Sequence, residues 1–123
     1  MWPVIYLKIL IGNGNPTTYT YNTMNELASI TDAQGLKVNY KYDRQGRLTR
    51  ESDRNGNLIS YSYNTDNYLI EKVALGVQEY EKHLYNRDGS LLAAINNNSV
   101  ETYSYTPNGY IKSKARNGKT ILE

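Results

Sequence analysis

Hydrophobic and polar positions alternate along this chain in short segments that return about every 21 residues. Five copies of one unit are present: Tyr-x-Tyr-Asn/Asp, two residues, Gly or Asn, one residue, then Leu or Ile. The second tyrosine of each copy stands at position 21, 42, 63, 85 or 105, so the steps are 21, 21, 22 and 20 residues. A period held over four steps predicts a repeat architecture.

Two turn signals divide each repeat. The first follows the tyrosine pair, at residues 22–25, 43–46, 64–67, 86–89 and 106–109. The second lies between pairs; it is clear at 32–35 and 53–56 and weaker at 73–76, 95–98 and 115–118. Asp or Asn at the first position bonds its own backbone, and Gly or Asn at the fourth accepts a positive φ. The predicted turn residues are Asp43, Gly35, Gly46, Gly56, Gly89 and Gly109.

The segments between these turns have the length of β-strands. Two strands and two turns use up all the residues of one repeat, and no stretch shows a helical period over three turns. We therefore predict an all-β antiparallel meander of about 11–12 short strands, one hairpin per repeat, as a curled sheet or partial β-shell. Residues 1–16 are expected to form an N-terminal strand with a Gly/Asn turn, and residues 17–123 a single domain of five repeats.

Alternation within the strands predicts two different sheet faces. Val38, Tyr40 and Tyr42 share one face, and Lys37, Asn39 and Lys41 share the other. We expect one face of tyrosine and aliphatic residues and one mostly polar face. The residues predicted to build the wall are Tyr19, Tyr21, Tyr40, Tyr42, Tyr61, Tyr63, Tyr85, Tyr103 and Tyr105, with Leu27, Leu48, Leu69, Leu91 and Ile111 on the return strands. Such a sheet must cover its apolar face, and its outer strands are open edges.

Composition narrows the functional classes. Hydrophobic residues make up 39% of the chain and include 13 Tyr and no Phe, which predicts a thin, aromatic, hydrogen-bonded core. The net charge of +2 is scattered without a Lys/Arg run, so nucleic acid is not an expected partner. Residues 2–11 are read as a strand, because they lack the basic start of a signal peptide. They are also too short for a membrane helix, so no membrane insertion is expected.

Candidate chemistry is sparse. His83 takes a position held elsewhere by Tyr, and a substituted core aromatic is preferred over a general base. Asp32, Asp43 and Asp53 are explained by turns, in preference to a catalytic pair, and no segment has the carboxylate spacing of a calcium loop. We expect a protein that is not an enzyme and has no cofactor. The tyrosines are read as core; the alternative is an exposed surface that stacks on sugar rings, with no particular residues assigned.

Residues 17–118 resemble a known repeat family. The segment Tyr40-Lys-Tyr42-Asp43-Arg-Gln-Gly46-Arg47-Leu48-Thr49 is similar to the consensus of the YD repeat, found in Rhs proteins, insecticidal toxin-complex subunits and teneurins. Only the second copy carries the whole pattern. Asn replaces Asp in three copies, His83 replaces Tyr in the fourth, and Thr106 replaces Asp in the fifth.

The resemblance implies architecture more than chemistry. It implies a wall segment of a hollow β-shell that encloses a C-terminal toxin, or of a surface stalk, in a secreted or cell-surface bacterial protein. The alternative is a carbohydrate-binding adhesion module. Implied partners are further YD repeats, self-association through sheet edges, and glycans or a toxin cargo. The family's Rhs core and toxin tip have no counterpart in the sequence, so we expect a repeat-only fragment, a truncated reading frame or an excised segment.

Overall fold

Residues 5–10 and 16–123 are described by the structure, a computed structural model, and they form twelve strands and no helix. The strands are β1 Ile5–Leu10, β2 Pro16–Tyr21, β3 Leu27–Thr31, β4 Lys37–Tyr42, β5 Leu48–Ser52, β6 Leu58–Tyr63, β7 Leu69–Ala74, β8 Glu79–Tyr85, β9 Leu91–Asn96, β10 Val100–Tyr105, β11 Ile111–Arg116 and β12 Lys119–Leu122. Their order in the sheet is their order in the chain. The predicted antiparallel meander is confirmed.

The chain divides into two compact units, residues 1–60 and 61–123, with the boundary inside β6. The first unit contains β1, whose backbone pairs antiparallel with β2. The Gly/Asn turn expected after β1 lies outside the described residues.

One turn geometry recurs between the strands, and the turn at Asp43 illustrates it. The Asp43 carbonyl accepts from the Gly46 amide at 3.1 Å, and the Asp43 amide donates to the Arg47 carbonyl at 2.9 Å. The Asp43 carboxylate accepts from the Gln45 amide at 2.9 Å and the Arg47 amide at 3.0 Å. Gly46 has a φ of 80°, a conformation that favours glycine. Positive φ values also occur at the fourth position of the other turns of this kind: Asn25, Gly35, Gly56, Asn67, Gly89 and Gly109.

The three weaker turn predictions are displaced in the structure. β7 runs on to Ala74, so the turn occupies residues 75–78 and the positive φ, 54°, falls on Gln78 and not on Gly76. The next turn begins one residue late, at Asn96, whose side chain accepts from the Asn98 amide. The last is a two-residue turn, Asn117-Gly118, with φ values of 49° and 79°. Two positive φ values in sequence are typical of the tight hairpin turn that Asn-Gly favours.

The two faces of the first unit differ as predicted. Along β4 the side chains of Val38, Tyr40 and Tyr42 are half-buried, and those that alternate with them are exposed. The opposite face is polar; there Ser29 stands between Thr20 and Asn39, and its hydroxyl lies 2.6 Å from that of Thr20. The core is thin, because within residues 16–123 only Ser29 and Ala93 are buried.

The opposite face of the second unit is apolar, which the sequence reading did not anticipate. Residues directly across a pair of strands share a face. On this face Val73 pairs with Tyr80 and Ile95 pairs with Val100. Leu84 lies on it as well and is about half exposed. The second unit therefore carries apolar side chains on both faces of its strands.

Candidate functional site

Tyrosine side chains join the two strands of one hairpin and also join successive hairpins. Within one hairpin, the second tyrosine lies directly opposite the aliphatic residue six positions later. The pairs are Tyr21 with Leu27, Tyr42 with Leu48, Tyr85 with Leu91 and Tyr105 with Ile111. A bulge stands next to each pair. The turn between them fixes this spacing, so the predicted aromatic and aliphatic positions meet.

The same tyrosines also reach the preceding hairpin. Their hydroxyls donate to the carbonyl of the residue that opens the previous return strand: Tyr42 to Leu27 at 2.9 Å, Tyr85 to Leu69 at 3.1 Å and Tyr105 to Leu91 at 2.7 Å. We call these the tyrosine–carbonyl bonds. Each satisfies a backbone acceptor at the end of a strand while its ring packs over the sheet. The second tyrosine therefore belongs to two hairpins at once.

The protonation of Tyr42 is consistent with this donor role. Burial raises the pKa of Tyr42, and the nearby Glu26 and Tyr40 raise it further. A phenol can donate to a carbonyl only in its neutral form, which a raised pKa favours.

A second inter-hairpin contact joins the turns. The Tyr68 ring covers Gly89 in the turn of the next hairpin, where a Cβ would come within 2.5 Å of the Tyr68 hydroxyl oxygen. The Tyr68 ring centroid also lies 4.9 Å from that of Tyr85. In the first unit, Glu26 approaches Gly46 in the same way, with its Oε1 atom 3.2 Å from the position of a Cβ. The residue after one turn thus covers the glycine of the next.

The first tyrosines of the repeats make their own contacts. Tyr19 lies opposite Ile30 and Tyr40 opposite Glu51. In the second unit the Lys72 ammonium stands 6.0 Å from the centre of the Tyr61 ring. The Tyr103 hydroxyl donates to Glu101 at 2.7 Å. These rings lie in the sheet as the repeat pattern placed them; their role in building the wall stays a prediction.

Glu101 is the centre of an ion cluster in the second unit. Its carboxylate accepts from the Tyr103 hydroxyl, from the Arg116 Nε atom at 2.8 Å and from the Lys114 ammonium at 3.0 Å. The Tyr103 hydrogen bond, followed by those from Arg116 and Lys114, lowers the pKa of Glu101 to about 2. Hydrogen bonding to Glu101, and then to Tyr103, raises the pKa of Lys114. These charges link two neighbouring strands, because Glu101 and Tyr103 lie on β10 and Lys114 and Arg116 lie on β11.

His83 behaves as the tyrosine that it replaces. Its Nε2 atom lies 2.9 Å from Glu81, two residues earlier, just as Tyr103 bonds Glu101 two residues earlier. Its ring centroid is 6.3 Å from that of Tyr85. This placement fits the prediction of a substituted aromatic in the repeat.

The three aspartates that a catalytic reading would pair lie in separate turns. Burial raises the pKa of Asp43, but hydrogen bonds to its carboxylate, above all the one from Arg47 Nε at 2.7 Å, lower the pKa overall. Asp53 accepts from Asn57 at 2.8 Å, and that hydrogen bond lowers its pKa. Asp32 faces Arg54 at 3.3 Å, an ion pair without hydrogen-bond alignment. In residues 5–10 and 16–123 no three His, Asp or Glu side chains gather closely enough to hold a metal.

The sequence reading missed Tyr68 and Glu101 in these contacts. Tyr68 follows the fourth residue of a turn, a position that the repeat pattern leaves variable. Glu101 stands two residues before a first tyrosine, as Glu81 stands before His83. That recurrence was the one available signal. No helix in the described part of the chain is long and apolar enough to cross a membrane.

Comparison with known families identifies the repeat. The teneurin YD-shell family matches residues 3–91 of the chain. The comparison with curated proteins found no match.

Solved structures show the same fold. A crystal structure of TcdB2-TccC3-Cdc42 superposes with a TM-score of 0.67 at 18% identity, covering 82% of this chain and 6% of that one. A crystal structure of TcdB2-TccC3 gives the same TM-score and identity over 83% of this chain. A Photorhabdus luminescens Tc holotoxin pore with a TccC3 mutation gives 0.67 at 14% identity, covering 94% of this chain and 7% of that one. This chain therefore spans a small part of the length of the structures it resembles.

Proposed function

The chain belongs to the teneurin YD-shell family, and from this we propose that it is a non-enzymatic structural segment of a YD-type β-shell wall. Its work is mechanical: successive hairpins extend a sheet, and side chains lock each hairpin to the one before. The partners we propose are further YD-type repeats, joined at sheet edges, with a toxin as the enclosed cargo. A secreted or cell-surface bacterial location is part of the same proposal.

The tyrosine–carbonyl bonds carry this proposal. Tyr42, Tyr85 and Tyr105 each use their hydroxyl on the backbone of the preceding hairpin. A glycan-binding surface would instead present those hydroxyls outward, where they could bond a sugar. Because the described tyrosines of this set are engaged in joining hairpins, their geometry supports a wall in preference to an adhesion surface.

The exposed apolar side chains on one face of the second unit also support a wall role. Leu84, Tyr80 and Val100 share one face of the second unit and remain partly exposed. An isolated soluble domain rarely leaves several large apolar side chains together in water. A wall that faces other protein on this side would cover them.

Sedimentation velocity of the purified chain over a tenfold range of concentration tests the proposal. We expect concentration-dependent association, because exposed strand edges pair with other strands. The variant Ile121→Lys, which places a charge on β12 at an exposed residue, should associate less while its circular dichroism is unchanged. A sharp monomer at every concentration would contradict the wall function, and saturable binding on a glycan array would favour adhesion instead.

A further inference from the structure

Tyr68 and Leu69 together form a complete receiving site for the hairpin that follows them. The Tyr68 ring lies over Gly89 and against Tyr85. The neighbouring Leu69 carbonyl accepts the Tyr85 hydroxyl at 3.1 Å. One hairpin thus presents a ring and a carbonyl, and the next presents a glycine and a phenol.

Tyr110 and Ile111 repeat the local geometry of this receiving site. The Gly109 amide donates to the Thr106 carbonyl at 2.9 Å and the Thr106 amide to the Tyr110 carbonyl at 2.8 Å. The turn before Tyr68 is closed in the same way, at 3.1 Å and 3.0 Å. Tyr110 therefore occupies the same position after its turn as Tyr68, and the same backbone hydrogen bonds close both turns.

The two sites differ in what covers them. Tyr68, under the turn of the next hairpin, is 40% exposed, whereas Tyr110 is 74% exposed. Leu69 is half-buried, and Ile111 is 50% exposed. A large aromatic ring and an aliphatic residue side by side in water make an apolar surface that a partner would bury favourably.

We propose that Tyr110 and the Ile111 carbonyl form a binding site for one further hairpin of the form Tyr-x-Tyr-Asn/Asp-x-x-Gly. Its glycine rests on the Tyr110 ring and its second tyrosine donates to the Ile111 carbonyl. This inference rests on the proposed wall function and names the chemistry by which the wall is extended.

The glycine is the specific part of this recognition. At the equivalent contact, a Cβ on Gly89 would lie 2.5 Å from the Tyr68 hydroxyl oxygen and 3.1 Å from its Cζ atom. The glycine also has a φ of 88°, which disfavours any residue with a Cβ. A hairpin with Asn at that place, such as the one containing Asn25, lacks this fit. The site therefore selects among hairpins by the fourth residue of their turn.

Strand register fixes where the partner tyrosine must stand. Ala94 pairs with Glu101, and Tyr105 follows Glu101 by four residues, since 101 + 4 = 105. Lys114, at the position equivalent to Ala94, pairs with Leu122. The partner tyrosine should therefore be the fourth residue after Leu122, that is, the third after Glu123. A copy of residues 83–96 appended after Glu123 places its Tyr85 there.

The test measures nitration of Tyr110 by tetranitromethane, with Tyr68 in the same molecule as the standard, at a concentration where the chain is monomeric. In the 123-residue chain we expect Tyr110 to react faster than Tyr68. In the extended chain its rate should fall to that of Tyr68. The matched control carries Gly89→Ala in the appended copy alone, and in it Tyr110 should again react fast.

Several outcomes would overturn the inference. Amide exchange reports whether the appended hairpin becomes ordered. The inference is wrong if the appended hairpin is ordered while Tyr110 is still nitrated fast, or if the alanine control protects Tyr110 equally. It is also wrong if the appended hairpin stays unordered, because the site then does not receive a glycine-bearing hairpin. Protection that depends on protein concentration would assign a second copy instead, and protection by added glycans would assign a sugar. Association of the unmodified chain is measured separately, so a failure here leaves the wall function standing.

Discussion

The Tyr42 hydroxyl donates a 2.9 Å hydrogen bond to the Leu27 carbonyl, which lies 15 residues earlier in the chain and in the previous hairpin. Tyr42 also stands directly opposite Leu48 in its own hairpin. One side chain thus holds two hairpins, and the repeat unit is defined as much by its contacts with its neighbour as by its own turn.

Tyr42→Phe should lower the free energy of unfolding by about 0.5–1.5 kcal/mol, because it removes the hydroxyl and leaves the ring in place. Urea denaturation followed by circular dichroism measures the change. Tyr110→Phe is the matched control, since its ring is 74% exposed, and we expect a change within about 0.5 kcal/mol. Equal effects at both positions would mean that the bond to Leu27 contributes nothing.

Gly89→Ala should destabilise the chain more than Gly35→Ala does. Both glycines have a positive φ, 88° and 83°, so each alanine incurs about 1–2 kcal/mol of backbone strain. Only Gly89 faces a neighbour, because nothing lies within 4 Å of a Cβ on Gly35. The clash with Tyr68 should add at least about 1 kcal/mol in urea denaturation.

The Tyr68→Ala background supplies the control for that difference. With the Tyr68 ring removed, the two glycine substitutions should have the same effect. If Gly89→Ala remained the more destabilising change without the ring, the cover over the turn would not be its cause.

The contribution of Glu101 to stability should disappear in acid. Its pKa is lowered from 4.5 to about 2 in the folded chain, so the ionised carboxylate stabilises the fold at pH values above 4.5. As the pH falls from 4.5 towards 2, the unfolded chain takes up the proton first and this stabilisation is lost. Unfolding free energies of the wild type and Glu101→Gln should therefore differ at pH 6 and converge near pH 2. Glu79→Gln, at an exposed position, is the control, and at pH 6 it should change the unfolding free energy less than Glu101→Gln does.

Asn97→Ala should destabilise the second unit, whereas Asn98→Ala should not. The Asn97 side chain accepts from the Tyr80 amide at 2.8 Å and donates to the Gln78 carbonyl at 2.9 Å. Losing both hydrogen bonds should lower the free energy of unfolding by about 1–2 kcal/mol. Asn98 contributes only its backbone amide to its turn, and Asn98→Ala keeps that amide. Differential scanning calorimetry compares the two variants. A similar melting temperature for both would mean that the Asn97 bridge is not formed.

The regular part of this fold could be predicted from the chain because its turns are local. Asp43 and Gly46 determine one turn within five residues, so the hairpin follows from the sequence alone. The turn after β7 was misplaced because Gly76 marks it, yet Gln78 takes the positive φ. A glycine indicates that a positive φ is possible, not that it is used.

The inter-hairpin contacts could not be predicted, because they depend on how neighbouring hairpins lie against each other. The repeat period put Tyr42 and Leu48 in one hairpin, but not the Tyr42 hydroxyl on the Leu27 carbonyl. The apolar second face of the second unit was, by contrast, readable: Tyr80 and Leu84 alternate along β8. The prediction of a polar face was drawn from residues 37–42 and extended to strands whose alternating residues differ.

The tyrosine–carbonyl bonds also bear on the order in which the hairpins fold during synthesis. Each runs from a donor to an acceptor 14 to 16 residues earlier, so during synthesis the acceptor has always left the ribosome before its donor. Contacts this short in sequence close quickly, and chains fold from the N-terminal end as they emerge. Each new hairpin can therefore bind to the folded hairpin before it, and the sheet can grow one hairpin at a time during translation, before the C-terminal hairpins have been made.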